Sequence, residues 1–210
     1  MIFFRSDYSQ GAHPSILDAL IKTNLEHSDG YTDDIHCEHA ADMIKELINK
    51  PNAKVYFMVG GTPTNLTSTA SVLKPFEAVV APLSGHIYFH ECGGVEASGH
   101  RVIAIKSDDG KLTPAMIEEA WLQYEDEHTV IPKMAYISDT TEIGTIYNKA
   151  ELQALRKCCD EHEMYLYLDG ARLAAALTCA ENDLTIKDIA NLTDAFYIGG
   201  TKNGALFGEA

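Results

Sequence analysis

The chain has 210 residues, 46% hydrophobic and 9% aromatic, a composition that supports a packed core and excludes a disordered chain. Its 31 acidic against 16 basic side chains give a net charge of −15, which argues against nucleic acid or an anionic membrane surface as a partner. Cys37, Cys92, Cys158, Cys159 and Cys179 make an odd set without a CxxC pair, and no run approaches the roughly 20 apolar residues that span a bilayer. A cytoplasmic protein free of structural disulfides is expected.

In chain order, Ile16, Leu17, Leu20, Ile21 and Leu25 recur at helical spacing after Pro14. Ile35, Met43, Ile44, Leu47 and Ile48 do the same after Asp33-Asp34, so two packed amphipathic helices are expected. Beyond Pro51 the texture changes to short β-rich runs, VYFMV, EAVVA, VIAI, MAYIS, MYLYL and AFYIG, with helical stretches such as Met116 to Tyr124 and Lys149 to Glu161 between them. Such alternation predicts an α/β fold with a mainly parallel central sheet. No repeat or linker interrupts it, so the reading is an N-terminal helical segment over residues 1–50 and one large domain over 51–210. The glycine-rich ending AFYIGGTKNGALFGEA is expected to be incomplete.

Four stretches carry chemistry. Gly60-Gly61-Thr62-Pro63-Thr64-Asn65 follows the run KVYFMV and precedes a helix, so it reads either as a capped strand-to-helix turn or as a phosphate cradle of free amides. It is neither a Walker loop nor a GxGxxG fingerprint. In SGHIYFHECGG, His86 is placed to stack on an aromatic ring or move protons. Read as a strand, the segment puts His86 and His90 on one face and turns Glu91 away, so no metal site is expected.

In MYLYLDGARL the strand delivers Asp169 at its C-terminal end, where open parallel sheets bind ligands, with Arg172 three residues on. A capping aspartate with a salt-bridged arginine is the plainer alternative. In AFYIGGTKNGALFG, Lys202 stands among glycines after an apolar strand, as either a surface-turn lysine or a Schiff-base lysine. A lysine for the Schiff base and a carboxylate for a pyridinium nitrogen are what pyridoxal 5'-phosphate chemistry needs.

Over essentially its whole length the chain resembles the β-eliminating lyase family of pyridoxal phosphate enzymes, and within it the low-specificity threonine aldolases of the aspartate aminotransferase-like fold (fold type I). FFRSDYSQGAHP, GYTDD, GGTPTN, SGHIYFHECGG, TTEIGTIY, LDGAR and GGTKNGALFGEA carry the resemblance. It implies that Lys202 forms the Schiff base, Asp169 pairs with the pyridine nitrogen and His86 stacks on the ring. Gly61, Thr62 and Asn65 then hold the phosphate, Ser6 and Arg172 meet the substrate carboxylate, and Tyr31 stands at the site mouth or a neighbouring subunit's. His128, in EDEHTVIPKMAYIS, is aligned with a second family histidine near the substrate hydroxyl.

The implied reaction is cleavage of a β-hydroxy-α-amino acid of the threonine class to glycine and an aldehyde, by a homodimer or homotetramer with shared sites. Another pyridoxal lyase, a racemase and a non-catalytic homologue are the alternatives. Two departures bear on subclass: Thr64 stands where the family usually has glycine, and Asp139 where it commonly has asparagine. Family members also continue into a smaller C-terminal domain that supplies a further arginine.

Overall fold

The computed structural model describes residues 5–210, so Phe3 and Phe4 of the opening motif lie outside it. Five parallel strands form one sheet in the order β2-β1-β3-β4-β5: β1 Glu77–Pro82, β2 Arg101–Ile105, β3 Ile131–Ser138, β4 Tyr165–Asp169 and β5 Ala195–Phe196. Parallel neighbours need crossovers, and α6 (Pro114–Gln123) and α7 (Lys149–Glu161) supply them before β3 and β4. Sequence sets where these helices begin. Thr113 caps α6, which has Pro in its first turn, and Asn148 with Glu151 forms a reciprocal capping box on α7.

Both faces of the sheet are covered, so the strands read as continuous apolar runs. On one face Val80, Ile103, Ala135, Ile137, Leu166 and Leu168 pack with Ile117, Leu152, Leu155 and Ile189 from α6, α7 and α9 (Ile186–Leu192). On the other, Val79, Ala81, Met134, Tyr136, Tyr167 and Tyr197 pack with Ile87 and Val95 from two short helices, α4 (His86–Phe89) and α5 (Gly94–Ala97). This second face is the one with tyrosines among its aliphatic residues, and their hydroxyls need partners.

Three expectations change. The run VYFMV forms no strand: only Met58 pairs, in an antiparallel bridge with Glu209, because Lys54–Phe57 has no neighbouring strand to complete a ladder among the described residues. Of AFYIG only Ala195–Phe196 is strand, and Ile198 pairs instead with Ala210. The helices α1 (Pro14–Thr23) and α2 (Ile35–Ile48) form where expected, but their apolar stripes are largely bare. Ile21, Leu25 and Ile35 are 75%, 89% and 72% exposed, and only Ile48 of the two helices is buried. A largely apolar hollow of about 930 Å³ lies between the end of α2, α3 (Gly61–Val72) and the β4–β5 edge. No helix among the described residues is long and apolar enough to cross a membrane.

Candidate active site

The C-terminal ends of β3, β4 and β5 converge on Asp169, which is 3% exposed. Its position follows from register. Asp169 shares a face with Tyr167 two residues back, Tyr167 pairs with Tyr136 on β3, and Tyr197 follows the residue paired with Leu168. One carboxylate oxygen accepts from the Tyr136 hydroxyl and, at 2.9 Å, from the Asn65 amide; the other accepts from the Tyr197 hydroxyl at 2.6 Å and the Ala171 N–H at 3.0 Å. Four donors fix both oxygens. Burial and the neighbouring Asp169 charge push the Tyr136 phenol well above its ordinary range, so it stays a donor.

Asn65, expected at the phosphate, has its amide committed elsewhere. Its Nδ2 also donates to Glu91 Oε1 at 2.8 Å and its Oδ1 accepts from the Tyr167 hydroxyl at 3.0 Å, so it braces the acids beneath the site. Glu91 was missed because the segment is a helix and not a strand: α4 brings His86 Nδ1 within 2.8 Å of Glu91 Oε1. A carboxylate oxygen accepts, so Nδ1 carries the hydrogen. The hydrogen bond to Glu91, opposed by burial and aided by the charges of Glu91, Glu142 and Asp169, raises the imidazole above its ordinary 6.5.

The stability from this bond is therefore full below about 6.5 and fades as the pH climbs through the raised value. Glu91→Gln keeps an acceptor but removes the charge, and the His86 titration followed by NMR is expected to move to lower pH. An unmoved titration would mean that Glu91 does not govern it.

The lysine turn is joined to the Asp169 strand end. Gly199 N–H donates to the Gly170 carbonyl at 2.9 Å, and the Asn203 side chain donates to the carbonyls of Ala171 and Gly199 at 3.1 and 2.7 Å. The approach is so close that a side chain on Gly170 would run into the Tyr197 carbonyl, and one on Gly199 into the Ala171 carbonyl. Buried Glu209 closes the turn by accepting from Gly200 N–H and the Thr201 hydroxyl, both at 2.8 Å. Lys202 is half-buried, its Nζ 5.6 Å from the centre of the Tyr8 ring.

Ser6, Asp7 and Tyr8 form the neighbouring wall. Asp7 receives Arg172 through Nε and Nη2, and Glu142 Oε2 lies 3.7 Å from Nη1. Against the opposing effect of burial, Asp7 keeps the guanidinium firmly charged. Asp139, the residue after β3, is 1% exposed with neither oxygen hydrogen-bonded among the described residues, and burial lifts its carboxyl to about 7.

Two expected residues lie elsewhere. His128 stands three residues before β3 begins and its side chain is 87% exposed. An eight-residue strand separates it from the Asp169 end of the sheet, about 25 Å at ~3.3 Å per residue. Tyr31 is 99% exposed, and no hydrogen bond or ring contact among the described residues joins it to the site.

The residues fit pyridoxal phosphate. Gly60 precedes α3 without a side-chain cap, and no hydrogen bond among the described residues engages the amides of Gly61 and Thr62 or the Thr62 hydroxyl. That helix start lies against the Asp169 cluster: a side-chain carbon on Gly61 would meet the Tyr197 hydroxyl at 3.0 Å. Phosphate donors, a ring-nitrogen acid, a lysine and an imidazole thus border one strand end. A ring nitrogen bonding to Asp169 must displace a donor. The hydroxyl hydrogens of Tyr136 and Tyr197 can rotate away, whereas the amide hydrogens of Asn65 and Ala171 cannot.

A parallel α/β sheet with this constellation at its carboxyl edge defines the large-domain architecture of the fold type I pyridoxal phosphate enzymes. The chain belongs to the beta-eliminating lyase family, whose model matches residues 4–207. It is 35% identical over 212 residues to the low specificity L-threonine aldolase of a Pseudomonas species, an alignment covering 99% of this chain and 60% of that protein. It is 25% identical to the alanine racemase TOXG of Cochliobolus carbonum over 95% of this chain and 51% of that one. The solved structure of Leishmania major threonine aldolase superposes with a TM-score of 0.96 at 52% identity, covering 97% of this chain and 60% of that one. The chain thus spans about 60% of the length of the threonine aldolases just named.

Proposed function

We propose that residues 51–210 form the larger part of a pyridoxal phosphate site that cleaves β-hydroxy-α-amino acids of the threonine class into glycine and an aldehyde. The observation that carries this is the strand-end cluster itself, with buried Asp169 hydrogen-bonded on four sides and the Lys202 turn held against the residues that follow it. The names and the 35% and 52% identities of the Pseudomonas and Leishmania relatives favour the aldolase among family reactions.

Lys202 supplies the attaching amine, Asp169 the partner for the ring nitrogen, and Gly61 and Thr62 the phosphate donors. When bound, pyridoxal phosphate supplies an electron-accepting ring that stabilises negative charge at the substrate Cα. His86, oriented by its hydrogen bond to Glu91, offers a planar face beside it. Arg172, with Ser6 next to its Asp7 partner, takes the substrate carboxylate. Fixing the carboxylate sets which bond to Cα is presented for cleavage. The bare apolar stripes of α1 and α2 support a homodimer or homotetramer, and the absence of disulfide-style cysteine spacing supports the cytoplasm.

The test is product analysis with the full-length protein. Aldehyde and glycine are expected from threonine or allo-threonine; pyruvate alone from serine or tryptophan, or racemised alanine alone, would overturn the aldolase reading.

A further inference from the structure

The proposed cleavage needs a group to take the proton of the β-hydroxyl, and within one chain His128 stands at the far end of the sheet from Asp169. The geometry points to Glu142. This inference rests on the aldolase reading and names the proton acceptor within that site.

Of the carboxylates near this strand end, the others are engaged or sealed away. Asp169 accepts four hydrogen bonds; Glu91 is committed to His86 and Asn65; Asp7 is committed to Arg172; Glu209 closes the lysine turn. Asp139 is sealed in the interior at 1% exposure. Among the described residues, no hydrogen bond engages the carboxylate of Glu142, whose ion-pair partner is the guanidinium nitrogen of Arg172 at 3.7 Å. Its side chain is 14% exposed, open enough to meet a small molecule and enclosed enough to have few alternatives.

The backbone that presents it is firm. Glu142 sits in a turn closed by Thr141 N–H on the Thr145 carbonyl at 2.9 Å and by the paired Thr141 and Thr145 hydroxyls at 2.7 Å. The Thr145 hydroxyl is anchored in turn on the Asp109 carbonyl at 2.7 Å. Asp7 takes the Nε edge of Arg172, which leaves the Nη1 edge, the one beside Glu142, for a substrate carboxylate. In a β-hydroxy-α-amino acid the hydroxyl oxygen lies roughly 3–4 Å from the carboxylate, as ordinary bond lengths dictate. A substrate gripped at Nη1 therefore brings its hydroxyl to Glu142.

In the step so assigned, the O–H and Cα–Cβ bonds break together. The hydroxyl proton passes to the Glu142 carboxylate, the C=O bond of the aldehyde forms, and the electron pair of the broken carbon bond stays with the glycine fragment. Cα then takes a proton from water, Glu142 gives its own back to water, and glycine and aldehyde leave with no net gain or loss of protons.

The experiment compares two reactions of the full-length holoenzyme. Exchange of the glycine α-proton with deuterated water needs Lys202, Asp169 and the carboxylate grip but no hydroxyl proton acceptor. Glu142→Gln is expected to lower kcat for threonine about 10²- to 10⁴-fold, the range for a general base. Glycine binding and glycine exchange should stay within about threefold, a change of under 1 kcal/mol, and Glu142→Asp should recover part of the loss. Threonine cleavage at the wild-type rate in the Gln variant would overturn the inference. Parallel loss of glycine binding and exchange would also overturn it, by showing that Glu142 merely positions Arg172. Wild-type protein that neither exchanges glycine nor cleaves threonine would sink the aldolase reading itself, and the inference with it.

Discussion

Lys202→Ala is expected to abolish both the visible absorbance of the holoenzyme and its labelling by borohydride, and to lower threonine cleavage by at least about 10³-fold, as loss of a covalent-catalysis residue does. The fold should tolerate the change. Lys202 makes one ring contact with Tyr8 and is half-buried, so the effect on stability should fall within about 0.5 kcal/mol. A small exogenous amine should restore part of the activity, because the truncated side chain leaves room for one. Borohydride labelling of the variant at another lysine, or retained cleavage, would show that the amine at the strand-end cluster is not the attaching group. Mass spectrometry of the reduced protein reads the outcome directly.

Asp169→Ala is expected to damage the protein in a second currency as well. The substitution leaves the hydroxyls of Tyr136 and Tyr197 and one amide hydrogen of Asn65 without their acceptor in a closed interior. Each stranded buried donor costs about 1–3 kcal/mol, so a loss of at least about 3 kcal/mol is expected, a large share of the ~5–15 kcal/mol that holds a domain together. Denaturant midpoints measure this. Asp169→Asn keeps the shape and one acceptor oxygen, so it should lose less stability while cleavage still falls on the order of 10²–10³, the scale for removing one preorganised electrostatic partner. If the alanine variant were as stable as wild type, the carboxylate would not be the centre of the network.

The parts of this arrangement legible in sequence were those that a single segment specifies. Asp169 at the end of an apolar strand and Lys202 in a glycine turn follow from local order, because a parallel sheet sends the C-terminal ends of its strands to one edge. Asp34 likewise marks the start of α2 through its own side chain.

What depended on contacts between segments was not legible. Tyr136, Tyr197 and Glu91 converge on the site through register across three strands and through α4, and none forms a motif with its neighbours. Tyrosine in a buried aliphatic strand was a usable sign, since its hydroxyl must be paired somewhere. Glu91 was hidden by assigning period-two geometry to a segment that turns helically. His128 lies apart from Asp169 in its own chain for a different reason: a strand of eight residues carries the chain from one edge of the sheet to the other.

The bare stripes of α1 and α2 bear on how firmly the pocket's rim is kept in place. Residues 6–8, which carry Asp7 and Tyr8, reach the main body through few ties: Asp7 to Arg172, Tyr8 beneath the lysine amine, and the His13 N–H to the Gly204 carbonyl at 2.9 Å. With no deep packing from the helix that follows, this rim belongs to the part of the molecule that opens at the lowest free energy. A surface that shielded Leu20, Ile21 and Leu25 would stiffen the strip of chain that borders Lys202, and its binding would then be thermodynamically linked to occupancy of the pocket even if it touched neither substrate nor cofactor.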